Sequence, residues 1–352
     1  MNKYNAYQEA LGALSYSQGQ KDMIAANAAA EAMKITRSHR IHFPFAKIAS
    51  VAACLLCVLT LTAEAAGIPT PVSRWLGPIF GNRVAQTEVI DSIGIPLDAY
   101  DTDNGITIRA EAVMGDAYNT AILFSITRDD GEPILPDGIP VSRLMLGGWG
   151  SISKQEGGAH GASRFLDPDP GDNTIQYLML RSFDMPLTKD PAVVQFTDLK
   201  YMNTETEEPV ILYEGKWRFR FEVDYEDSSI VLGNNETFVQ EEMLFTVKEV
   251  RISPIAIRIS YDVNSEVQWN DAPSGRLPEE DRRQQERYME NVSILLVKKD
   301  GTIIDMSLSG GSIQPKDGKT NCIKGDVLPE IVPLTELDRV IVGGVEYPLA
   351  CC

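Results

Sequence analysis

The sequence predicts a mainly β protein with a short α-helical N-terminal segment, one transmembrane helix and two antiparallel β-sandwich-like domains. Three observations predict this fold class: an uncharged apolar run at 48–63, many short strand patterns after residue 85, and unequal charge on the two sides of the run. The predicted order is a cytoplasmic helical segment at 1–44, a transmembrane helix at 45–66, a juxtamembrane linker at 67–84, a first extracytoplasmic β-domain at 85–206 and a second at 207–352.

The N-terminal segment predicts two short amphipathic helices. Apolar residues recur at spacings of three and four, and Ser17 with Gln20 forms a capping-box pattern before the second helix. A segment this short cannot bury its own apolar faces, so we expect them to dock on a cytoplasmic partner. The open alternative is a loosely folded tail, or helices that lie on the inner leaflet. The candidate partner-binding residues are Leu11, Leu14, Met23 and Ile24.

The apolar segment is long enough to cross a bilayer. Its uncharged part reads IASVAACLLCVLTLTA. At 1.5 Å per residue, 45–66 reaches about 33 Å against a hydrocarbon core of about 30 Å. Pro44 suits the helix start, and Gly67 with Pro69 suits its end.

Three other interpretations of this segment stay open. A buried core helix would carry a polar stripe, which the run lacks. Ala63-Glu64-Ala65 matches a signal-peptide cleavage pattern, but it follows more residues than the usual 15–30 or so. Val51-Ala52-Ala53-Cys54 resembles a lipoprotein cleavage box, although the apolar run continues beyond the cysteine. An uncleaved anchor fits the pattern best.

Charge sets the orientation of the predicted span. Residues 1–47 carry +3 and the rest of the chain −21, within a total of −18. The positive-inside rule therefore predicts a single-pass cell-membrane protein with a cytoplasmic N-terminus and extracytoplasmic C-terminal domains. The acidic body would repel phosphate backbones, so we expect no direct contact with nucleic acid.

Strand patterns dominate after the span. The Gly343-Gly344 pair between two apolar runs is the strongest hairpin signal in the chain, and the acidic stretch Glu205–Pro209 suggests a domain boundary. The predicted strands are Ile106–Val113, Thr120–Thr127, Tyr177–Phe183, Val193–Leu199, Lys216–Tyr225, Glu242–Val250, Ile255–Tyr261, Val292–Val297 and Thr302–Leu308.

Three stretches interrupt or precede this pattern. Residues 68–84 predict a linker in which Trp75 anchors at the membrane interface, or whose apolar residues dock on the first β-domain. Gly147–Asn173, rich in Gly and Asp, predicts a surface loop, and Leu277–Asn291 predicts an exposed charged helix or loop.

The search for catalytic chemistry finds no G-x-S-x-G, phosphate loop or H-E-x-x-H motif. His160 would have to serve any catalytic triad of the outer region, and its Gly-rich surroundings favour a plain loop histidine. The run that holds Asp167, Asp169 and Asp172 could gather around calcium, but two prolines break the EF-hand spacing, which favours a solvated acidic loop. We predict no enzyme, no cofactor and no metal.

The remaining histidines and cysteines give equally weak signals. His39-x-x-His42 has no Cys, Asp or Glu near it in the sequence to complete a zinc site. Cys54-x-x-Cys57 lies inside the predicted span, where packing is favoured over redox chemistry. Cys322 stands alone, and the terminal Cys351-Cys352 is predicted to be outside the cell, which argues against prenylation.

Several motifs together resemble the membrane-anchored, anti-sigma-factor-like proteins of Gram-positive bacteria. The similar stretches are Leu11–Gly19 with the Met-containing helix after it, Ile68-Pro69 and Phe80-Gly81 after the span, Gly105–Ile108 with Ala121–Ser125, Gly215–Phe221, and Ile252–Ile259. These stretches are spread over most of the chain.

The resemblance implies a transmembrane regulator. Its cytoplasmic helices would hold an alternative sigma factor, and its outer region, a domain of unknown function followed by an immunoglobulin-like domain, would sense the state of the envelope. Zinc-type members carry a His and a Cys-x-x-Cys in the cytoplasmic part, whereas no cysteine precedes Cys54 here, so sigma-factor binding would be zinc-free. The alternative is an anchored extracytoplasmic β-sandwich protein for adhesion or ligand binding, without sigma-factor contact.

Overall fold

The computed structural model describes residues 71–349 except 137, 152–156, 189, 234 and 271–277. These residues belong to one compact unit, Thr70–Cys352, which is mainly β with antiparallel sheets. The predicted segments at 1–44 and 45–66 lie outside the described residues. Within the described part, none of the helices has the length and apolar composition to span a membrane.

The first described elements are helical. The predicted linker is a helix, α1, from Ser73 to Phe80, and a second helix, α2, covers Val84–Ile93. Leu76 and Phe80 are buried, so the apolar residues of this stretch dock, as the alternative interpretation of the linker expects, but they pack on residues of both sandwiches and not of the first alone. Trp75 is partly buried and packs against the apolar cluster that contains Leu76 and Phe80.

A first β-sandwich follows. Its larger sheet has the strand order β1-β2-β3-β7-β5, with β6 also paired to β7, and its smaller sheet has the order β4-β8-β9. The strands are β1 Gly94–Asp103, β2 Ile106–Gly115, β3 Asn119–Arg128, β4 Leu144–Ser151, β5 Ala159–His160, β6 Ser163–Leu166, β7 Thr174–Phe183, β8 Ala192–Met202 and β9 Pro209–Phe221. A short 3₁₀ turn, Val141–Arg143, precedes β4.

Aromatic side chains from both sheets fill the core of this sandwich. Phe124 of β3 meets Phe196 of β8 edge to face, with ring centroids 5.2 Å apart. Trp217 of β9 is fully buried, and its Nε1 donates to the Ile106 carbonyl over 2.8 Å. The alternating burial of β9 follows directly from its sequence, because apolar and charged residues alternate along KWRFRF.

A second β-sandwich is built from two further sheets with the orders β10-β12-β13-β17-β16, with β11 paired to β12, and β15-β14-β18-β19. The strands are β10 Ile230–Leu232, β11 Thr237–Gln240, β12 Met243–Ile252, β13 Ala256–Val263, β14 Ile294–Lys298, β15 Ile303–Asp305, β16 Gly311–Lys316, β17 Lys319–Val327, β18 Leu337–Val342 and β19 Val345–Pro348. The predicted hairpin is confirmed: Gly343 and Gly344 both have positive φ, 55° and 86°, between β18 and β19.

The helix α3, Glu279–Gln285, continues into a π-helical turn, Glu286–Glu290, before β14. A 3₁₀ turn, Leu334–Glu336, precedes β18. The charged stretch predicted here is thus helical, but it is not wholly exposed, because Tyr288 and Met289 enter the core.

The predicted boundary between the two β-domains differs from the structure. Glu205 lies in the turn between β8 and β9, in which Asn203 Oδ1 accepts a hydrogen bond from the Glu205 amide, and Pro209 is the first residue of β9. Because β9 pairs with β8, the predicted strand at 216–225 belongs to the first sandwich, and the second sandwich begins with β10. An acidic, proline-containing stretch can therefore be a hairpin turn as easily as a linker.

The predicted surface loop at 147–173 contains part of β4 and all of β5 and β6. The glycines of this stretch allow β4 to pair with β8, whereas the prediction took them as a sign of an unpaired loop. At Gly148, φ is +121°, and a Cβ would lie 2.1 Å from the Gln195 carbonyl oxygen on β8. The glycine content of this stretch therefore marks close approach of two strands.

Candidate functional site: the junction of the two sandwiches

Helices α1 and α2 pack where the two sandwiches meet. Their buried side chains share one apolar cluster with the outer face of the large sheet of the first sandwich and with residues at the end of the second. The cluster consists of Val72, Leu76, Phe80, Ile90, Ala112, Met114, Ala121, Leu123, Leu178, Ile255, Ala256, Val327 and Ile331. One cluster therefore joins the helices to both sandwiches.

Polar contacts attach the helices to the second sandwich. The Phe80 carbonyl, at the end of α1, accepts a hydrogen bond from the Ile331 amide over 2.8 Å. Gln86 of α2 also binds Ile331, since its Nε2 donates to the Ile331 carbonyl over 2.9 Å. Arg83, between the helices, donates through both terminal nitrogens to the Glu336 carboxylate at 3.1 and 3.0 Å.

A buried carboxylate joins the two sandwiches directly. Asp116, in the β2–β3 turn, is 2% exposed, and its Oδ2 accepts from the Ser253 hydroxyl of the second sandwich over 2.6 Å. Its Oδ1 accepts from the amides of Tyr118 and Asn119 and from the Asn119 side chain, each over 2.9 Å. Burial raises the pKa of Asp116, and these hydrogen bonds oppose the rise.

An arginine completes the polar contacts near Asp116. Arg258 of β13 lies over the Tyr118 ring, 4.1 Å from its centroid, and donates to the Asp184 carbonyl of the first sandwich over 3.1 Å. Its own sheet supplies Glu249, whose carboxylate accepts from Arg258 over 3.2 Å. Burial lowers the pKa of Arg258, so these partners compensate a desolvated cation.

A cavity of about 370 Å³ opens at the junction, here called the junction cleft. Its walls come from α1, from the β6–β7 side of the first sandwich and from the β15–β16 and β17 ends of the second. The lining residues are Phe80, Ala162, Ser163, Arg164, Leu180, Asp305, Met306, Leu308, Ser309, Asp326, Val327, Leu328 and Pro329.

Two features of the cleft wall are unusual. Leu308 sits in the turn after β15 with 97% of its surface exposed. Ser309, next to it, is only 8% exposed, and its buried hydroxyl has no hydrogen-bond partner among the described residues. Buried hydroxyls are normally paired, so the wall presents an unused polar group beside an exposed leucine.

A buried lysine fixes this wall. Lys324 of β17 donates from Nζ to the carbonyls of Met289 and Val292, both over 2.7 Å, and of Ser307 over 2.6 Å, with a longer contact to Glu290 at 3.3 Å. Burial lowers its pKa to about 8. Because one of the four carbonyls belongs to the residue before Leu308, the ammonium group holds the exposed leucine's turn in place.

The sequence-predicted site residues fall largely outside the described part of the chain. The partner-binding candidates Leu11, Leu14, Met23 and Ile24 lie there, as do the pairs His39 with His42, Cys54 with Cys57, and Cys351 with Cys352.

The predicted loop histidine has a structural contact. His160 ends β5, and its Nε2 donates to the Gly325 carbonyl of the second sandwich over 2.8 Å. In the acidic loop, Asp169 accepts a hydrogen bond from the Gly171 amide and Asp172 accepts one from the Thr174 amide. Such contacts two residues along the chain are typical of aspartates in turns. Within the described ranges, no group of three or more His, Cys, Asp or Glu residues could hold a metal ion.

Cys322 of β17 is fully buried, and no disulfide involves it. Burial raises the pKa of its thiol to about 12. The thiol is therefore protonated at neutral pH and has little nucleophilic character.

Sequence reasoning did not single out Asp116, Ser253, Arg258 or Lys324. Asp116 and Asn119 flank a two-residue turn, an ordinary hairpin pattern that gives no sign of contact with a distant sandwich. Ser253-Pro254 did interrupt an apolar run, and a polar residue at that point was the one available signal of a special role.

No protein-family model matches this chain, and no curated protein matches it. A crystal structure described as that of the conserved domain protein from Bacillus anthracis is similar over 71% of this chain and 76% of that chain, with 14% sequence identity and a TM-score of 0.45. A likeness at that score supports no argument about function.

Proposed function

We propose that this chain is a single-pass membrane regulator of the anti-sigma type. Its N-terminal helices would sequester an alternative sigma factor in the cytoplasm, and its β-sandwiches, an immunoglobulin-like second one included, would sense an envelope signal outside. The lipid bilayer would be its other partner, through the span at 45–66. The proposal assigns the chain no enzymatic activity, cofactor, metal or direct contact with nucleic acid.

One observation carries this proposal: the helices that follow the predicted span are bound to both sandwiches. Residue 71 comes five positions after the end of the predicted span, and α1 begins at Ser73. Apolar packing of α1 and the Arg83–Glu336 and Gln86–Ile331 contacts tie this stretch to the sandwiches. A displacement between the sandwiches would thus act on the chain just outside the predicted span.

The test is a reporter of sigma-dependent transcription in cells that carry Leu11→Asp with Leu14→Asp. Each leucine buried in a contact stabilises it by roughly 1.5–3 kcal/mol, and an unpaired carboxylate there costs more. We therefore expect higher sigma-dependent transcription with normal protein level and membrane insertion.

The matched control is Asn5→Asp with Gln8→Asp, which adds the same charge to polar positions of the same segment. It should leave transcription unchanged. Equal output from wild type and the leucine variant, at equal protein level, would remove the anti-sigma function and leave the anchored ligand-binding protein as the better account.

That second candidate has one observation in its favour, the junction cleft. Exposed apolar surface next to an unpaired buried hydroxyl is typical of a binding site. Ligand binding and sigma-factor regulation are compatible, because a sensor must respond to a bound ligand or to a mechanical force.

A further inference from the structure

The junction cleft carries opposite charges that do not meet. Arg164 lines it from β6 of the first sandwich, and Asp305 and Asp326 line it from the second. Asp305 accepts from the Ser307 amide, and Asp326 Oδ1 accepts from the Val327 amide. The Arg164 backbone pairs with Leu178 of β7, but its guanidinium group has no ion pair or hydrogen bond with any described residue.

Opposite charges across a cavity would normally pair or be separated by water. Here no ion pair joins Arg164 to Asp305 or Asp326, although all three line the same space. A molecule with an anionic and a cationic end could satisfy both walls at once, with its carboxylate toward Arg164 and its ammonium toward the aspartates.

The floor and rim of the cleft are apolar. Phe80, Leu180, Met306, Val327 and Leu328 supply aromatic and aliphatic surface. Leu308 adds an apolar group at the rim that has no other packing role, because it is almost fully exposed. A ligand for this cleft should therefore carry an aliphatic side chain between its charged ends.

The unpaired Ser309 hydroxyl adds a third requirement. A buried hydroxyl without a partner costs free energy, and a ligand amide that donates to it or accepts from it would recover that cost. The volume of about 370 Å³ lies at the lower end of the usual range for small-molecule sites, which excludes large ligands.

We propose that the junction cleft binds short zwitterionic peptides of dipeptide size with aliphatic side chains. The α-carboxylate pairs with Arg164, the α-ammonium lies near Asp305 and Asp326, the amide meets Ser309, and the side chains pack on Met306 and Leu308. Such a peptide touches both sandwiches and Phe80 of α1, so its binding favours one arrangement of the junction. The binding does not depend on the sigma-factor function.

The experiment titrates the purified full chain, ¹³C-labelled at its methionine methyl groups, with the dipeptide Leu-Leu. Met306 lines the cleft, while Met243 is buried in the core of the second sandwich and serves as an internal reference. We expect a saturable shift of the Met306 resonance and none of the Met243 resonance. N-acetyl-Leu-Leu and Leu-Leu-amide, which lack one charge each, should bind up to about fivefold more weakly, as expected for a partly exposed ion pair.

Two variants at exposed positions test the assignment without disturbing the core. Arg164→Gln should weaken Leu-Leu binding up to about fivefold and remove the preference over Leu-Leu-amide, whereas Arg220→Gln, a matched exposed arginine on β9, should change neither. Ala162→Trp should fill the cleft and abolish the shift.

Two results would overturn the proposal. The first is an unshifted Met306 resonance at roughly 10 mM Leu-Leu, ten times a Kd that corresponds to about −4 kcal/mol. The second is equal binding of Leu-Leu and the uncharged N-acetyl-Leu-Leu-amide, which would reduce the cleft to a non-selective apolar surface. In either case the transcription assay with the Leu11 and Leu14 variant would be unaffected and would still decide the sigma-factor function.

Discussion

Two buried ionisable groups, one at the junction and one inside the second sandwich, are held in different ways. Asp116 accepts hydrogen bonds from three donors on its own turn and one from the Ser253 hydroxyl of the other sandwich. Lys324 donates only to backbone carbonyls, and all four belong to its own sandwich. The carboxylate thus links two bodies, whereas the ammonium group links loops within one.

The difference concerns which part of the fold depends on each group. Loss of the Asp116 contact would leave each sandwich with its own apolar core, since the two cores are built from separate residues. Loss of Lys324 would leave buried carbonyls without donors inside a core, where few alternative donors are within reach. We therefore expect local uncoupling in the first case and loss of stability in the second.

The largest effect is expected from Lys324→Met. Methionine fills a similar volume and relieves the desolvation of the ammonium group, but it leaves the buried Val292 carbonyl and the partly buried Ser307 carbonyl without a donor. At about 1–3 kcal/mol for each unsatisfied group, the free energy of unfolding should fall by roughly 2–6 kcal/mol. Urea denaturation followed by circular dichroism measures this change.

The control is Lys319→Met, an exposed lysine on the same strand, for which we expect a change within about 0.5 kcal/mol. If both variants have the stability of wild type, the four carbonyl contacts of Lys324 are replaced by water at little cost and the proposed division of roles is wrong.

A smaller effect is expected from Ser253→Ala at the junction. The variant leaves Asp116 Oδ2 without its donor and the Ala256 amide without its acceptor, which costs roughly 1–3 kcal/mol. The loss should appear as weaker coupling. In a background in which Trp75, Trp149 and Trp269 are replaced by Phe, the Trp217 fluorescence transition of the first sandwich and protease cleavage within the second should separate along a urea titration. Ser92→Ala, an exposed helical serine, should leave the two transitions coincident.

The comparison also shows what the sequence could and could not predict. Strand alternation and turn residues predict most strands of both sandwiches, because each depends on neighbours in the chain. The sequence analysis did not predict β1, because Asp101 and Asp103 give this strand an acidic composition that is typical of loops. In the structure these carboxylates accept hydrogen bonds from the Arg218 and Lys216 amides of β9, both over 2.8 Å, and so protect a sheet edge.

The junction was less predictable than the strands. Asp116 and Ser253 are separated by 137 positions in the chain, and nothing in the local pattern around either residue indicates the other. Lys324 lies in a strand with alternating exposure, where a lysine is ordinarily expected to face solvent. Contacts of this kind follow from how preformed elements pack, which periodicity does not encode.

The smallest effect, and the sharpest test of the junction carboxylate, is the pH dependence of Asp116→Asn. The amide keeps the shape and can still accept from the Tyr118 and Asn119 amides, so the change in stability at one pH should be on the order of 1 kcal/mol. The pKa of Asp116 is raised above its usual 3.8 by burial, so the folded state favours the protonated carboxyl. Wild type should therefore lose stability relative to the variant as pH rises from about 4 through the raised pKa, and the difference should be constant above it.

Urea denaturation of both proteins from acidic to neutral pH measures the difference, in which titrations common to both cancel. A difference that moves in the opposite direction would mean that the four donors around Asp116 outweigh its desolvation and that the junction is held by an ionised carboxylate.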